Sequence, residues 1–435
     1  MTETEKSSRR LLHLWNLPAA SDVRSLRKQI SALDSEVSGL RRALQATTDE
    51  LTARRLLDDE TFETRAREPH QPPGSLMNAA TQDPFTLLTD TFNKGVKRSW
   101  NLTRHVFGID RAEVGQTPRE EVWATGKTVL YRYQSDNPVV GPPVLLVMSL
   151  VSRSFILDLQ PGNSFVEHLL EQGLDVFLLD WGVPEAEEAE NTLETYVDQY
   201  LPEAVAVVDR LGGGEGVTMF GYCFGGLLAL LYAAGHSDGP VRNLVVMATP
   251  VDFDQMPQAM SGVGSHGIDP DHILDADGNV PAQAVRASFT MLAPTADLAT
   301  VADFWERLDD DKFLNSYQAM TAWTRNHIPF PGAAFKQTVQ IFNNGNGFIN
   351  DQIVLGGREI HLSDIEVPFL NVVAEHDHIV PRAATTPLTP LVGSEDRTEV
   401  VLPAGHVGLI IGKRGRTKCM PTMSGWIVDH SAQAE

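Results

Sequence analysis

The sequence predicts an α/β fold with a mostly parallel, doubly wound sheet, and two features of the chain indicate it. From about residue 121 onward, short apolar runs that suit buried strands alternate with longer segments that suit helices. At 217–220 one such run leads into GYCFGG (221–226) and then into the helix-forming segment 227–234, which makes a strand–turn–helix unit. In sheets of this kind, ligand sites lie at the carboxyl ends of the strands.

The predicted elements follow one another along the chain. They are a hairpin at 121–134, strands at 144–151, 175–180, 217–220, 241–248, 367–375 and 398–402, and helices at 163–172, 192–211, 227–234, 383–392 and 421–430. Residues 252–350 interrupt this alternation and are rich in aromatic and amide side chains. Because so long an insertion would cover the active edge of the sheet, we interpret 121–435 as a catalytic domain with a cap at about 252–350.

The first 120 residues are organised differently. One heptad position is held by β-branched residues and leucine, namely Val23, Ile30, Val37, Leu44 and Leu51, and a second by Leu26, Leu33 and Leu40. This pattern favours a two-stranded parallel coiled coil. We therefore predict an amphipathic coiled-coil helix at 1–57, a linker at 58–82 and a helical lead-in at 83–120. The alternative for the first segment is a helix that lies on the main domain.

Composition excludes several functions. The net charge of −22 and the isoelectric point near 4.9 argue against binding to nucleic acid or to anionic lipid. The two cysteines, Cys223 and Cys419, are too few for a disulfide framework and suit a reducing cytosol. No signal peptide is recognisable, and no apolar run approaches the ~20 residues of a spanning helix. We expect an intracellular protein with no transmembrane segment.

Cys223 is the candidate nucleophile. Its strand–turn–helix context is that of a nucleophile elbow, in which Gly221 and Gly225 let the strand and the helix meet closely. The N-terminus of the following helix would favour the thiolate form. The alternative is a small, buried, apolar cysteine, which is how we interpret Cys419.

Asp377 and His406 are the candidate acid and base. Asp377 follows the apolar strand at 367–375, and His406 follows the last strand in PAGHVGLI (403–410). The order nucleophile, acid, histidine is that of the α/β-hydrolase fold, which we therefore predict. Asp377 could instead be a loop residue or a helix N-cap.

His378 is a possible secondary residue that would tune the site electrostatically. Together with His376 it flanks Asp377, which raises the question of a metal site. No further ligand cluster supports one, so neither a metal nor another cofactor is expected.

An oxyanion hole needs two backbone N–H donors. Phe224, directly after the nucleophile, is expected to supply one, and the loop after the 144–151 strand, near Val151 or Ser152, the other. The glycine-rich run at 211–216 precedes a strand instead of following one, so it does not fit a dinucleotide-binding loop.

A cysteine in this position has a chemical consequence. When a thiolate exchanges with a thioester, the product is another thioester of similar energy, so the acyl group stays activated for a second transfer. A serine ester would lose that energy. The cysteine therefore indicates acyl transfer from a thioester more than ester hydrolysis.

Six stretches resemble the catalytic subunit of polyhydroxyalkanoate (PHA) synthases, most closely the two-subunit, class III type. They are LVSRSFILDLQP (150–161), GLDVFLLDWGVP (173–184), GYCFGG (221–226), LVVMATPVDF (244–253), VPFLNVVAEHDHIVP (367–381) and AGHVGLIIG (404–412). The resemblance extends over about 100–435. It is more specific than the elbow alone, because a generic hydrolase would match only the elbow and the histidine.

The resemblance implies a reaction and a role for each residue. Cys223 would carry the growing chain as a thioester, and His406 would deprotonate it. Asp377 would orient the histidine and help to activate the 3-hydroxyl of the incoming group. The substrate would be (R)-3-hydroxyacyl-CoA and the products a polyester and free coenzyme A. The active form would be a cytoplasmic homodimer at the surface of polyester granules.

The chain departs from this resemblance in two places. Residues 11–44 are similar to the C-terminal segment of the accessory subunit, PhaE, that such synthases need, which implies a fusion with the activating segment in cis. Whether a separate accessory subunit is still required stays open. Ser152 stands where asparagine is usual, which affects the expected geometry of the oxyanion loop.

Two other functions fit parts of the pattern. One is a thiol-dependent PHA depolymerase or acyl-CoA thioesterase on the same fold, in which water instead of a hydroxyacyl group accepts the chain. The other is a non-enzymatic granule scaffold with a vestigial triad, against which the intact triad argues.

Overall fold

The architecture is given by a computed structural model. The structure describes residues 113–431, except for 136, 138, 258–268, 293–306 and 308, and also Lys97. The predicted coiled-coil segment at 1–57, the linker at 58–82 and most of the lead-in at 83–120 lie outside the described residues.

Eight strands of the described part of the chain form one mostly parallel sheet. In spatial order they are β1 (Arg119–Thr125), β2 (Thr128–Tyr133), β4 (Val176–Asp180), β3 (Val144–Val147), β5 (Val217–Tyr222), β6 (Val241–Met247), β9 (Phe369–Ala374) and β10 (Arg397–Leu402). The β1–β2 and β2–β4 pairs are antiparallel, and the other neighbouring pairs are parallel. This confirms the predicted fold class and the hairpin at 121–134.

The central strands are apolar at nearly every position because both faces of the sheet are covered. All residues of β3, β5 and β9 are buried, as expected for parallel strands packed between helices. The edge strand β1 is only partly buried. The core therefore centres on β3 and β5. These strands lead into the loop 148–153 and into the turn at Cys223.

Seven longer helices lie in the described part of the chain, and the first three and the last overlap predicted helices. They are α1 (Phe165–Glu171), α2 (Leu201–Leu211), α3 (Phe224–Gly235), α4 (Ala282–Leu292), α5 (Asp311–Arg325), α6 (Gly332–Thr338) and α7 (Met420–Ser431). Shorter α-helical pieces lie at Gly347–Asn350, Arg382–Thr385 and Gly412–Arg414. One-turn π-helices occupy Thr195–Tyr200, Val339–Asn344 and Gly415–Cys419. The 3₁₀ turns are Ser154–Asp158, Ala186–Glu188, Phe253–Gln255, Pro270–Ile273, Leu362–Asp364, Thr386–Leu388 and Val407–Leu409.

Two predicted elements are shorter than the sequence suggested. The strand predicted at 144–151 ends at Val147, because the carbonyl end of β3 abuts the backbone of Gly225 and the chain turns away. The helix predicted at 383–392 is reduced to Arg382–Thr385 and a 3₁₀ turn. Pro387 and Pro390 lack the N–H that a continuing helix needs.

The chain between β6 and β9 ends with a hairpin, β7 (Ile353–Leu355) and β8 (Arg358–Ile360), which sequence reasoning missed. The turn is Gly356-Gly357, both at positive φ, a strong hairpin signal. The hairpin contacts the end of α3, where Arg358 donates to the Gly235 carbonyl at 2.6 Å. The main sheet resumes at Phe369.

Candidate active site

Cys223 lies on the turn between β5 and α3. Its backbone has φ 55° and ψ −120°, a combination that residues other than glycine rarely adopt. Its N–H donates to the Met247 carbonyl at 2.9 Å, which ties the turn to β6. The strained turn presents the thiol at the carboxyl end of β5, as a nucleophile elbow does.

Three glycines allow α3 to begin close to the strand ends. An added Cβ at Gly221 would overlap the backbone of Gly226, so Gly221 permits the predicted close approach of β5 and α3. At Gly225 the Cβ would overlap the Val147 carbonyl oxygen, so Gly225 permits an approach of α3 to the end of β3. At Gly226 it would overlap the side chain of Thr249, which follows β6.

Asp377 and His406 lie in loops that follow the adjacent strands β9 and β10. The His406 Nδ1–H donates to Asp377 Oδ2 over 2.7 Å. Asp377 Oδ1 accepts the backbone N–H groups of Ile379 at 2.8 Å and Val380 at 2.9 Å. The Asp377 side chain is 1% exposed. Three protein donors therefore fix the carboxylate, and the carboxylate fixes the imidazole.

His406 lies between Asp377 and Cys223. Burial by itself lowers the pKa of His406, but the negative charges of Asp377 and Cys223, with hydrogen bonds to both, raise it to about 10. A raised imidazole pKa favours the imidazolium form of His406. Because Nδ1 is bonded to Asp377, Nε2 is the nitrogen left for Cys223.

Tyr222 supports His406 from the strand side, a contact that sequence reasoning missed. The two rings stack with centroids 5.1 Å apart, and the Tyr222 hydroxyl donates to the His406 carbonyl at 3.4 Å. Burial raises the pKa of the Tyr222 phenol, so it stays a protonated donor. Its place directly before the nucleophile is the signal by which it could have been found.

The two residues predicted to supply the oxyanion donors lie in the wall of the cavity that contains Cys223. Phe224 begins α3, and the first N–H groups of a helix have no partner within it. Val151 lies in the loop 148–153, and its N–H makes only a long contact, 3.4 Å, to Ser149 Oγ. Both residues line the same cavity as Cys223. Of the two residues predicted for the second donor, Val151 and Ser152, Val151 is the one in the cavity wall.

A cavity of about 180 Å³ adjoins Cys223. The cap supplies much of its wall through apolar side chains, which include Ile273, Val280, Val285, Phe289, Phe330, Phe335 and Val339. The two hydroxyl groups in the wall are engaged: Ser288 donates to a helix carbonyl at 3.1 Å and Thr338 to another at 2.8 Å. This wall suits an aliphatic acyl group.

The structure separates the remaining sequence candidates from the site. His378 is exposed and does not belong to the cavity wall, and its electrostatic role stays a prediction. Cys419 is buried in the core. The run at 211–216 connects α2 to β5 as a helix-to-strand loop. No group of three potential metal ligands occurs within the described residues.

Comparison with known proteins adds to this geometry. A family model described as the alpha/beta hydrolase fold matches residues 142–413. The "Poly(3-hydroxyalkanoate) polymerase subunit PhaC" of Allochromatium vinosum is 33% identical over 329 residues, which cover 74% of this chain and 92% of that protein. Its namesake from Haloferax mediterranei is 34% identical, with 80% of this chain and 73% of that protein covered. The chain belongs to the poly(3-hydroxyalkanoate) polymerase family.

A third member of the polymerase family gives the same result. The Synechocystis protein is 33% identical over 78% of this chain and 90% of its own length. Family membership confirms the resemblance to PHA synthases that the six sequence stretches indicated. Within the described part of the chain, no helix has both the length and the apolar character that crossing a membrane requires.

Proposed function

We propose that the chain is a polyhydroxyalkanoate synthase, which polymerises (R)-3-hydroxyacyl-CoA and releases coenzyme A through a covalent thioester on Cys223. The observation that carries the proposal is a cysteine-centred triad beside an apolar cavity, in a chain of the polymerase family. A thiol nucleophile keeps the acyl group as a thioester, so the bond energy needed for ester formation is retained.

In the first step, Cys223 takes the acyl group from coenzyme A. The Cys223 thiolate attacks the thioester carbonyl, and the N–H groups of Phe224 and Val151 would stabilise the oxyanion. The carbon–sulfur bond to coenzyme A then breaks, and the leaving thiolate takes the proton that His406 holds on Nε2. Asp377 keeps the imidazole oriented and stabilises its charge throughout.

In the second step, a hydroxyl group accepts the acyl chain. We propose that His406, and not Asp377, takes its proton, since both carboxylate oxygens of Asp377 already accept protein hydrogen bonds and its side chain is buried. The alkoxide attacks the Cys223 thioester, an ester bond forms and the thiolate leaves. The lengthened chain, now a coenzyme A thioester, returns to Cys223 by a repeat of the first step.

The N-terminal segment suggests how the active form is assembled. Because 1–57 carries a coiled-coil heptad and 11–44 resembles the accessory subunit of class III synthases, we propose a homodimer whose activating segment is part of the chain. A protein that lacks 1–57 should lose dimerisation, or lose activity unless an accessory subunit is added. A truncated protein that stays dimeric and fully active would reject this part. We place the enzyme in the cytoplasm at the granule surface, which fluorescence microscopy of a tagged chain would test.

The decisive experiment uses the purified full-length chain and (R)-3-hydroxybutyryl-CoA. Release of coenzyme A together with insoluble polyester is the expected result. Release with only soluble hydroxy acid would instead identify a thioesterase or depolymerase, and no release would favour a scaffold. The Cys223→Ser variant should lose most turnover, because a serine ester lacks the energy for the second transfer. Unchanged polymer formation by that variant would refute the thioester intermediate.

A further inference from the structure

The loop 148–153, which carries the Val151 N–H, is fastened at both ends by tryptophan side chains. The Trp181 indole N–H donates to the Met148 carbonyl at 2.7 Å. The Trp323 indole N–H donates to the Arg153 carbonyl at 3.0 Å. Both bonds are made to backbone oxygens, so they fix the course of the loop independently of its side chains.

The two tryptophans belong to different parts of the molecule. Trp181 directly follows β4 and is buried in the sheet domain, where its ring meets that of Tyr196 edge-on at 5.1 Å. Trp323 lies on α5, a helix of the cap. The first end of the loop is therefore anchored to the sheet, and the second end to the cap.

A second hydrogen bond joins α5 to the segment that follows the loop. Gln160 Nε2 donates to Ser316 Oγ on α5 at 2.7 Å. Ser316 and Trp323 are seven residues apart, which places them on the same face of the helix. One face of α5 thus holds the chain at two points, residues 153 and 160.

The first end of the loop, at Met148, is held in place by close packing. Gly225 packs against the Val147 carbonyl and Met148 so closely that it has no room for a Cβ. Any change in the direction of the Val151 N–H must therefore come from the second end, where the Trp323 bond lies two residues away. Movement of α5 would break that bond first.

We propose that Trp323 is a positioning residue, which couples the cap to the oxyanion hole by holding the loop that carries the Val151 N–H. With α5 on the loop, Val151 and Phe224 both line the cavity beside Cys223, where their N–H groups would serve one oxyanion. With α5 displaced, the thiolate is still formed by His406, but the second donor is misaimed. The inference rests on the proposed function, in which a thioester carbonyl becomes an oxyanion.

The test compares two tryptophan-to-phenylalanine variants of the full-length chain. Trp323→Phe keeps most of the ring contacts and removes the donor to the loop. Trp426→Phe is the matched control, because the Trp426 indole nitrogen is buried and has no hydrogen-bond partner among the described residues. We expect kcat for coenzyme A release to fall about three- to tenfold in Trp323→Phe, the loss of one hydrogen bond, with KM unchanged. Trp426→Phe should stay within twofold of the wild type.

Two reactions of Cys223 separate positioning from a merely structural effect. Acylation by p-nitrophenyl acetate forms an oxyanion, whereas alkylation by iodoacetamide does not. Trp323→Phe should slow acylation about as much as kcat and leave alkylation unchanged. Equal losses in both reactions, or acylation within twofold of the Trp426→Phe value, would overturn the proposal.

Further outcomes are also informative. If Trp323→Phe unfolds, Ser316→Ala can replace it, because it removes the other hydrogen bond between α5 and the chain. Ser316→Ala should slow acylation and leave alkylation unchanged. A Ser316→Ala protein with unchanged acylation would overturn the proposed coupling of the cap to the oxyanion hole. If the wild type releases no coenzyme A but the acylation-specific loss persists, the proposed function fails and the role of Trp323 stands. A wild type that p-nitrophenyl acetate does not acylate refutes both.

Discussion

Replacing Asp377 with asparagine tests the triad most directly. The shape of the side chain is kept, and the amide oxygen can still accept the N–H groups of Ile379 and Val380, now 2.8 and 2.9 Å from Oδ1. The amide nitrogen then faces His406 Nδ1 at the 2.7 Å position. It can only donate there, so the imidazole is forced to carry its proton on Nε2, where it cannot accept the proton of Cys223.

The size of the effect follows from these contacts. A hydrogen bond to a charged group contributes about 1.5–3 kcal/mol, which corresponds to a loss of about 10- to 150-fold in rate. The wrong tautomer adds to this loss, so we expect kcat for coenzyme A release to fall by about 100-fold or more. Asp175→Asn is the matched control, because Asp175 is a similarly buried carboxylate that accepts two hydrogen bonds from Arg132, at 3.1 and 2.8 Å. That variant should lose stability but keep kcat.

We also expect Asp377→Asn to change how the free energy of unfolding depends on pH. The pKa of His406 is raised to about 10 in the folded protein, above about 6.5 in an unfolded chain. Its contribution to the free energy of unfolding is therefore complete below pH 6.5 and is lost as pH rises towards 10. Without the charge of Asp377 this loss should be smaller, which urea denaturation at pH 6 and pH 10 under reducing conditions would measure. The reasoning would be refuted by an Asp377→Asn protein whose kcat is within threefold of the wild-type value. It would also be refuted if the free energy of unfolding fell by the same amount between pH 6 and pH 10 in the variant and in the wild type.

Three further tests concern the elbow, the cap and the cavity, with one or two substitutions each. Gly225→Ala should lower Tm and abolish alkylation of the active thiol, because the added Cβ overlaps the end of β3; a fully active variant would contradict this. Asn346 is buried, has φ 42° and accepts the Phe253 N–H at 2.9 Å. Asn346→Ala should therefore lower the free energy of unfolding by about 2–4 kcal/mol, and Asn346→Gly should lower it less, because glycine tolerates the positive φ. Urea denaturation of the two variants would check this order. Val285→Thr should raise the ratio of free hydroxy acid to polymer severalfold by admitting water to the cavity wall, whereas the exposed Val354→Thr should leave the product ratio unchanged.

The positions of the three candidate triad residues could be predicted because their signals are local. Cys223 stands between glycines at a strand–helix junction, and Asp377 and His406 each follow an apolar strand. Parallel strands bring their carboxyl ends to one edge of the sheet, so three residues distant in sequence meet there without further information. The short helix at 382–385 shows the limit of the same reasoning, since the predicted helix at 383–392 runs through Pro387 and Pro390, which lack the N–H that a helix needs.

The cavity and the loop 148–153 could not be predicted with the same resolution. Val285 and Phe335 line one cavity although they come from different helices, and helix-to-helix packing is not encoded in the periodicity of either. The choice between Val151 and Ser152 depends on one peptide unit, which the Trp323 and Trp181 hydrogen bonds fix from distant parts of the chain. Long-range contacts decided both features.

The triad itself does not distinguish a polymerase from a hydrolase, since both need a nucleophile, a base and an acid in this order. Two features beyond it favour transfer to a hydroxyl group. A thiol nucleophile at Cys223 would keep the acyl group as a thioester, which retains enough energy to form an ester. The wall of the cavity is mostly apolar, and its Ser288 and Thr338 hydroxyl protons are already donated to helix carbonyls. A water molecule gains few hydrogen bonds in such a wall, whereas an acyl chain gains apolar contacts that hold its terminal hydroxyl near His406. Because the cap supplies most of this wall, we infer that the partition between polymer and free acid is set by the cap, and the rate by the triad.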